Sequence, residues 1–254
     1  RLVGSEMCIR DSINGALVGA GGFFGPILPN LVMPVARLYM RKMVGHLVLD
    51  AESDALNKIL DKAAESGEQL NLNLLGEAVL GEEEAKSRAQ RTLKLIQNPR
   101  VTYVSVKASS MVAQLNHWDI DGSVERLKER LRPLYQAAAD RTDKVFINMD
   151  MEEYHDLHLT IRLFKELLSE PEFLTLDAGI VLQAYLPDTF DALKDVADFA
   201  KERVAKGGGK VKVRIVKGAN LSMETVQGEV HDWPLATYTN KLDVDANYYR
   251  LLDF

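Results

Sequence analysis

Alternating apolar and polar residues mark five short segments of the chain as β-strands. The first, 70–75, reads LNLNLL, so its leucines share one face while Asn71 and Asn73 share the other. The same alternation returns in four later segments, VTYVSVK, VFINMD, GIVLQAY and VKVRIVK, at 101–107, 145–150, 179–185 and 211–217.

Helical spacing of apolar residues fills the intervals between these strands. Helices are predicted over 34–49, 54–65, 82 to just before Pro99, 121–139, 156–169, 189–205 and from near 244. Ser53 and Asp188 are expected to cap the helices that follow them. Strands that alternate with helices, with no hairpin signal, predict a parallel sheet covered by helices.

The two faces of each predicted strand differ, which bears on the choice between an open doubly wound sheet and a barrel. One face is almost wholly apolar, whereas the other is mixed and ends in polar residues. Central strands of an open sheet would be apolar on both faces. The pattern therefore favours a (β/α)8 TIM-type barrel with a site at the carboxyl ends of its strands.

The chain is too short to complete that barrel. A barrel of eight units typically needs ~250 residues, and the chain of 254 residues reaches its first strand only near Leu70. We expect a partial barrel, strands 1–5 of 8, over 69–254, preceded by an N-terminal helical arm over 13–68. Residues 1–12 match nothing that follows and resemble an assembly or adaptor scar.

Composition excludes several classes of function. The net charge is −6 with no basic face, which argues against a nucleic-acid partner, and the only cysteine, Cys8, allows no disulfide framework. Residues 13–36 carry no charge, which leaves a membrane span as an alternative. Prolines at 26, 29 and 34 and five glycines favour instead an arm that packs or lies on a surface.

Four polar residues occupy equivalent places on successive strands. They lie on the inner face near the carboxyl end of predicted strands two to five, and they are Lys107, Asp150, Gln183 and Arg214. Two cations, a carboxylate and an amide do not resemble a metal cage, but they suit a redox cofactor whose charge changes. The alternative is a salt-bridged barrel interior, since buried charges must in any case be paired.

Five motifs resemble, in order, the strand ends of the FAD-dependent proline dehydrogenase domain, especially that of bifunctional proline utilisation A enzymes. They are LLGE at 74–77, VSVKAS at 104–109, DMEEY at 150–154, GIVLQAYL at 179–186 and RIVKGA at 214–219. The resemblance extends over about 40–254. It implies a (β/α)8 barrel with FAD over the carboxyl ends of its strands.

The resemblance also implies roles for individual residues. Lys107 and Asp150 would form a pair beside the flavin that shapes the proline pocket, and Arg214 would lie near flavin N5. Contacts to FAD would come from Met151, Gln183, Arg214, Val216, Lys217, Gly218 and Ala219. The implied reaction transfers a hydride from proline C5 to flavin N5, giving Δ1-pyrroline-5-carboxylate, and electrons then pass to a quinone. It leaves a C-terminal aldehyde dehydrogenase domain open, and it implies a cytoplasmic location, with peripheral contact at the inner membrane as an open alternative.

The chain departs from this family in two ways. Asn220-Leu221 stands where members often carry an aromatic pair, and the last barrel helix, which supplies paired arginines for the substrate carboxylate, is absent. We therefore expect the chain alone to be inactive. Two other classes stay open: a Schiff-base lyase or aldolase that uses Lys107, and a fragment without catalysis.

Three weaker features have competing interpretations. His155 and His158 form either a metal pair or a solvated helix start. Trp118 and Trp233 are expected to cap the barrel rather than stack on a ligand. Lys241 and Asp243 are expected to begin a helix rather than to act in catalysis.

Overall fold

The computed structural model describes residues 29–44, 54–74 and 79–254 of the chain. The chain divides into two compact units, Arg1–Leu56 and Asn57–Phe254. The expected scar at 1–12, most of the uncharged stretch, Ser53 and the residues Gly76 and Glu77 of the LLGE motif lie outside the described residues. The expected domain boundary after residue 68 stays a prediction.

The first helix, α1 (Pro29–Val44), begins five residues before its predicted start. The predicted helix began at Pro34, whereas Pro29 occupies the first position of the observed helix. Proline is common at this position because a backbone N–H there would have no hydrogen-bond partner within the helix. Pro34 then lies inside the helix. None of the helices among the described residues is both long and apolar enough to span a bilayer.

All five predicted strands are present, and they pair in parallel in the order β1-β2-β3-β4-β5. Each is shorter than the segment that the alternation predicts. Their bounds are β1 (Leu72–Asn73), β2 (Tyr103–Lys107), β3 (Phe146–Asp150), β4 (Ala178–Gln183) and β5 (Val211–Val216). The α/β class with a parallel sheet is thus confirmed.

The helices after α1 lie where the periodicity predicts them, with α7 as the exception. They are α2 (Asp54–Glu65), α3 (Glu82–Gln97), α4 (Ile120–Asp140), α5 (Leu157–Leu168), α6 (Thr189–Ala205), α7 (Leu221–His231) and α8 (Lys241–Asp253). α8 begins at Lys241, as expected, and the Asn240 side chain caps it by accepting from the backbone N–H of Asp243 at 3.0 Å. Asp188 precedes α6 but makes no side-chain cap; its carboxylate accepts instead from the Tyr154 hydroxyl at 2.7 Å.

The sequence did not predict α7. Met223, Val226 and Val230 have helical spacing, but the helix is only 11 residues long and contains Gly228, a poor helix former. Four of its apolar residues are exposed: Leu221, Met223, Val226 and Val230. A left-handed residue, Asp232 (φ 54°), ends the helix.

The apolar face of the sheet packs into the core, as predicted. Ile147 and Met149 on β3 and Ile180 and Leu182 on β4 are fully buried. The opposite face carries the polar residues, which places the candidate site on the other side of the sheet from this core.

A buried arginine stabilises the amino end of the sheet, opposite the carboxyl ends of the strands. Arg203, near the end of α6, donates hydrogen bonds to the backbone carbonyls of Leu168, Phe173, Leu176 and Gly209. Only 3% of Arg203 is exposed, and this burial lowers the pKa of its guanidinium. Nothing in the helical pattern of α6 distinguishes this arginine from its solvated neighbours.

Candidate cofactor and substrate site

The polar residues predicted to converge do lie together. Within the ladder, Lys107 on β2 is directly opposite Asp150 on β3, and Arg214 on β5 is opposite Val181 on β4. A cavity of about 330 Å³ opens at these strand ends. All nine predicted site residues line it: Lys107, Asp150, Met151, Gln183, Arg214, Val216, Lys217, Gly218 and Ala219. Their individual roles stay predictions.

The Asp150 carboxylate is the centre of the hydrogen-bond network in this cavity. Its Oδ1 lies 2.7 Å from Arg214 Nη2 and accepts from Asn148 Nδ2 at 2.7 Å and from the Ser105 hydroxyl at 3.2 Å. Its Oδ2 accepts from Asn73 Nδ2 at 3.2 Å. Burial raises the pKa of the Asp150 carboxyl, and the charge of Arg214 opposes that shift. The network holds both members of the Asp150–Arg214 pair in fixed positions.

Lys107 does not form the expected pair with Asp150. Its Nζ instead forms an ion pair with Glu152, whose other oxygen accepts from the Ser109 hydroxyl. The loop after β3 carries Glu152 back over the strand ends, and Gln183 Nε2 holds that loop by donating to the Glu152 carbonyl at 3.1 Å. An ammonium paired with a carboxylate has no free lone pair, so this contact disfavours a Schiff base at Lys107.

Sequence reasoning missed Glu152. It belongs to the quoted DMEEY motif, and its acidic side chain two residues beyond Asp150 was the available signal. Alternation along a strand says nothing about residues in the following loop, because their direction depends on the path of the loop.

Gly218 brings the backbone close to an aromatic ring. Its φ is +135°, a conformation that L side chains rarely adopt, and a Cβ built there would lie 2.4 Å from the Tyr185 ring. The Tyr185 backbone N–H donates to the Lys217 carbonyl at 2.8 Å, which keeps the two segments together. Glycine is therefore required here by packing within the protein.

Glu224 connects three elements at the rim of the cavity, and sequence reasoning missed it because α7 was not predicted. Its Oε1 accepts from the Tyr154 backbone N–H at 2.6 Å and lies 3.4 Å from the Tyr185 hydroxyl. Burial, reinforced by the Glu224 charge, raises the pKa of Tyr185. Glu224 thus joins α7 to the loop after β3 and to the end of β4.

Two buried polar atoms on residues that line the cavity have no hydrogen-bond partner among the described residues. They are Arg214 Nε and Gln183 Oε1. Buried polar groups are nearly always paired, so this donor and this acceptor suit a ligand that supplies the complementary atoms. A flavin ring, which carries both acceptors and an N–H donor, fits this set.

The other candidate residues have different surroundings from those expected. His158 lines a groove between α5 and α6 with Asp188 and Asp191, whereas His155 lies beside His117 and Asp156. Trp118 is fully exposed and Trp233 is 62% exposed, so neither caps the sheet. Trp233 stacks on His231 with ring centroids 4.5 Å apart.

Comparison with known proteins supports the architecture. A family model described as proline dehydrogenase matches residues 56–254. The chain is 64% identical to proline utilization A from Corynebacterium freiburgense, with a TM-score of 0.81, over 86% of this chain and 23% of that one. Proline utilization A from Bdellovibrio bacteriovorus, inactivated by N-propargylglycine, is 34% identical with a TM-score of 0.70, over 78% of this chain and 22% of that one. None of the curated proteins compared with the chain matched it.

A more distant structure shares the fold alone. A mutant of proline utilization A from Bradyrhizobium japonicum is 21% identical, with a TM-score of 0.69, over 89% of this chain and 24% of that one. The chain spans less than a quarter of the length of these solved structures. The partial barrel predicted from the strand pattern is confirmed. With a family model that covers most of its length, the chain belongs to the proline dehydrogenase family.

Proposed function

We propose that the cavity at the strand ends binds FAD and oxidises L-proline to Δ1-pyrroline-5-carboxylate. The observation that carries this proposal is the convergence of all nine predicted residues on one cavity, where Arg214 Nε and Gln183 Oε1 have no partner among the described residues. The oxidation removes a hydrogen from C5 and one from the ring nitrogen, so that a carbon–nitrogen double bond forms and two electrons leave the substrate.

FAD would be held by the residues that the resemblance names: Met151, Gln183, Arg214, Val216, Lys217, Gly218 and Ala219. When bound, the flavin supplies the acceptor for those two electrons. Gln183 donates both of its described hydrogen bonds to backbone carbonyls, of Met151 and Glu152, which leaves its Oε1 free to accept from a ligand.

Arg214 and Asp150 have complementary roles in this proposal. Arg214 offers a fixed positive charge, with Nε unpaired, where negative charge develops during the oxidation. Asp150 holds that guanidinium at 2.7 Å and adds a carboxylate that attracts the ring nitrogen of an amino acid. Because the reacting amine must be neutral, its proton has to leave before C5 is oxidised.

The chain of 254 residues is proposed to be nearly inactive by itself. Each cation of the cavity already has a carboxylate partner: Lys107 pairs with Glu152, Arg214 with Asp150, and Lys217 with Asp245. Among the described residues, no cation that lines the cavity is therefore left for the carboxylate of proline. In addition, β5 is an edge of the described sheet, and most of its residues are partly exposed.

Further parts of the proposal come from the resemblance alone. A quinone would take the electrons, the chain would work in the cytoplasm or at the inner membrane surface, and an aldehyde dehydrogenase domain would act on the product. These statements concern a longer protein than the 254 residues described.

The proposal is tested by comparing the chain with a version continued through strands six to eight of the Corynebacterium freiburgense protein. We expect the continued version to retain flavin through gel filtration and to reduce a dye with proline, and the shorter chain to do neither well. Stoichiometric flavin and equal turnover in the shorter chain would refute the expected inactivity. A continued version that folds but retains no flavin would refute the site itself.

A further inference from the structure

Three side chains of types that commonly ligate metals lie together where two loops approach each other. His117 lies in the connection from β2 to α4, and His155 and Asp156 lie in the short turn before α5. One ligand atom from each residue lies within 4.8 Å of the other two. The two imidazole rings contact edge to face, with centroids 4.4 Å apart.

The separations between these atoms are close to those of a zinc site. His117 Nε2 is 2.7 Å from Asp156 Oδ1, and His155 Nε2 is 3.7 Å from the same oxygen. Ligands on a tetrahedral Zn²⁺, with bonds of ~2.0–2.1 Å, lie about 3.4 Å from one another. The observed distances fall on either side of that value. The two imidazole rings are partly exposed, whereas the Asp156 carboxylate is 7% exposed. Small rotations of the rings would place the two Nε2 atoms and Asp156 Oδ1 around one ion.

A fourth residue orients one of the histidines. Glu153 Oε2 lies 3.4 Å from His155 Nδ1. A carboxylate beside one imidazole nitrogen favours the tautomer with the proton on that nitrogen, which leaves the lone pair on Nε2. Nε2 is the atom that faces Asp156. A carboxylate beside the second nitrogen of a ligating histidine is common in zinc sites, and Glu153 is placed to take that position.

We propose that His117, His155 and Asp156 bind one Zn²⁺, with water in the fourth position. Two imidazoles and one carboxylate suit a borderline ion such as Zn²⁺, whereas Mg²⁺ and Ca²⁺ prefer sites made of oxygen alone. The ion joins the loop after β2 to the loop after β3. The loop after β3 carries Glu152, the partner of Lys107. A bound metal would therefore stabilise the position of this loop beside the cavity.

The site is tested by metal titration of the purified chain, without a histidine tag and after treatment with a chelator. A colorimetric chelator competes for Zn²⁺ and measures affinity, and Co²⁺ reports coordination through its visible absorption. We expect one equivalent of Zn²⁺ to bind, an excess of Mg²⁺ to leave binding unchanged, and Co²⁺ to give the strong bands of a four-coordinate site. No flavin or proline is needed, so the result is independent of the proposed enzymatic function.

Single substitutions decide which residues bind the ion. His117→Gln and His155→Gln should each weaken Zn²⁺ binding by more than tenfold, and Glu153→Gln should weaken it ~10–100-fold by removing the orienting carboxylate. His158→Gln, one helical turn from His155, and His231→Gln are the matched controls and should change nothing. Helix content by circular dichroism verifies that each variant is folded.

Two outcomes overturn the site. Either the folded chain binds no Zn²⁺ under these conditions, or the control variants lose as much affinity as His117→Gln. In the first case the contact of His117 with Asp156 is only a hydrogen bond that closes the loop. Since both histidine rings are partly exposed, their substitution to glutamine should leave the fold intact, and the comparison remains decisive.

Discussion

Substitution of Gly218 by alanine tests the close packing at the end of β5. The new methyl group meets two separate costs. A side chain at φ +135° is strained by ~1–3 kcal/mol, and a Cβ at 2.4 Å from the Tyr185 ring forces that buried ring to move, at ~1–3 kcal/mol. Together they predict a loss of about 2–6 kcal/mol in the free energy of unfolding.

Gly207→Ala separates the two costs. Gly207 also has a positive φ, +78°, but a Cβ there meets no atom within 4 Å. Only the backbone cost applies, about 1–2 kcal/mol. Gly207 precedes β5, at the opposite end of the strand from the cavity. Flavin binding by the continued chain should therefore fall in Gly218→Ala and stay unchanged in Gly207→Ala.

Urea unfolding followed by circular dichroism measures both variants, and the difference between them reports the contact with Tyr185 together with the difference in backbone strain between the two φ values. We expect Gly218→Ala to be the less stable by at least ~1 kcal/mol. Equal losses in the two variants would show that the ring moves away at no cost. In that case packing is not the reason for glycine at this position.

Three further substitutions test other parts of the account. Burial raises the pKa of Asp150, so between the unfolded pKa of ~3.9 and the folded pKa the folded chain binds a proton that the unfolded chain does not. The free energy of unfolding of the wild type therefore falls as pH rises through this range, and the stability of Asp150→Asn relative to the wild type in urea unfolding should increase from pH 4 to pH 7. A difference that stays constant with pH would contradict the shift. Arg203→Met leaves four backbone carbonyls without their donor and should cost about 3 kcal/mol or more in thermal or urea unfolding, whereas a loss below ~1 kcal/mol would mean that water replaces it. In the continued chain, Arg214→Ala should lower kcat for proline at least tenfold with a smaller change in KM, and an unchanged rate of flavin reduction in stopped flow would exclude its role in stabilising charge.

The sequence was most informative where side-chain direction follows from the backbone alone. Alternation along β3 and β5 placed Asp150 and Arg214 on one face, and the structure joins them at 2.7 Å. The partner of Lys107 was not predictable in the same way. Both Asp150 and Glu152 are within reach of its long side chain, and the path of the loop after β3 decides between them.

Residues brought together by two loops were the least predictable. His117 and His155 are separated by the helix α4 and the strand β3, and no spacing rule relates them, whereas His155 and His158 have the spacing of one helical turn. The structure joins the first pair and separates the second. Similarly, Glu224 lies on α7, a short helix that the sequence did not predict, so its contacts with Tyr154 and Tyr185 had no signal in the pattern.

The central claim is that the cavity at the strand ends oxidises proline with a bound flavin. Anaerobic addition of L-proline to the flavin-loaded, continued chain tests it most directly, with visible absorption recorded at each addition and the pyrroline product measured in parallel. The flavin bands are expected to bleach, and one equivalent of Δ1-pyrroline-5-carboxylate should form for each flavin reduced. A folded protein that retains stoichiometric flavin, bleaches with dithionite and does not bleach with proline would contradict the account.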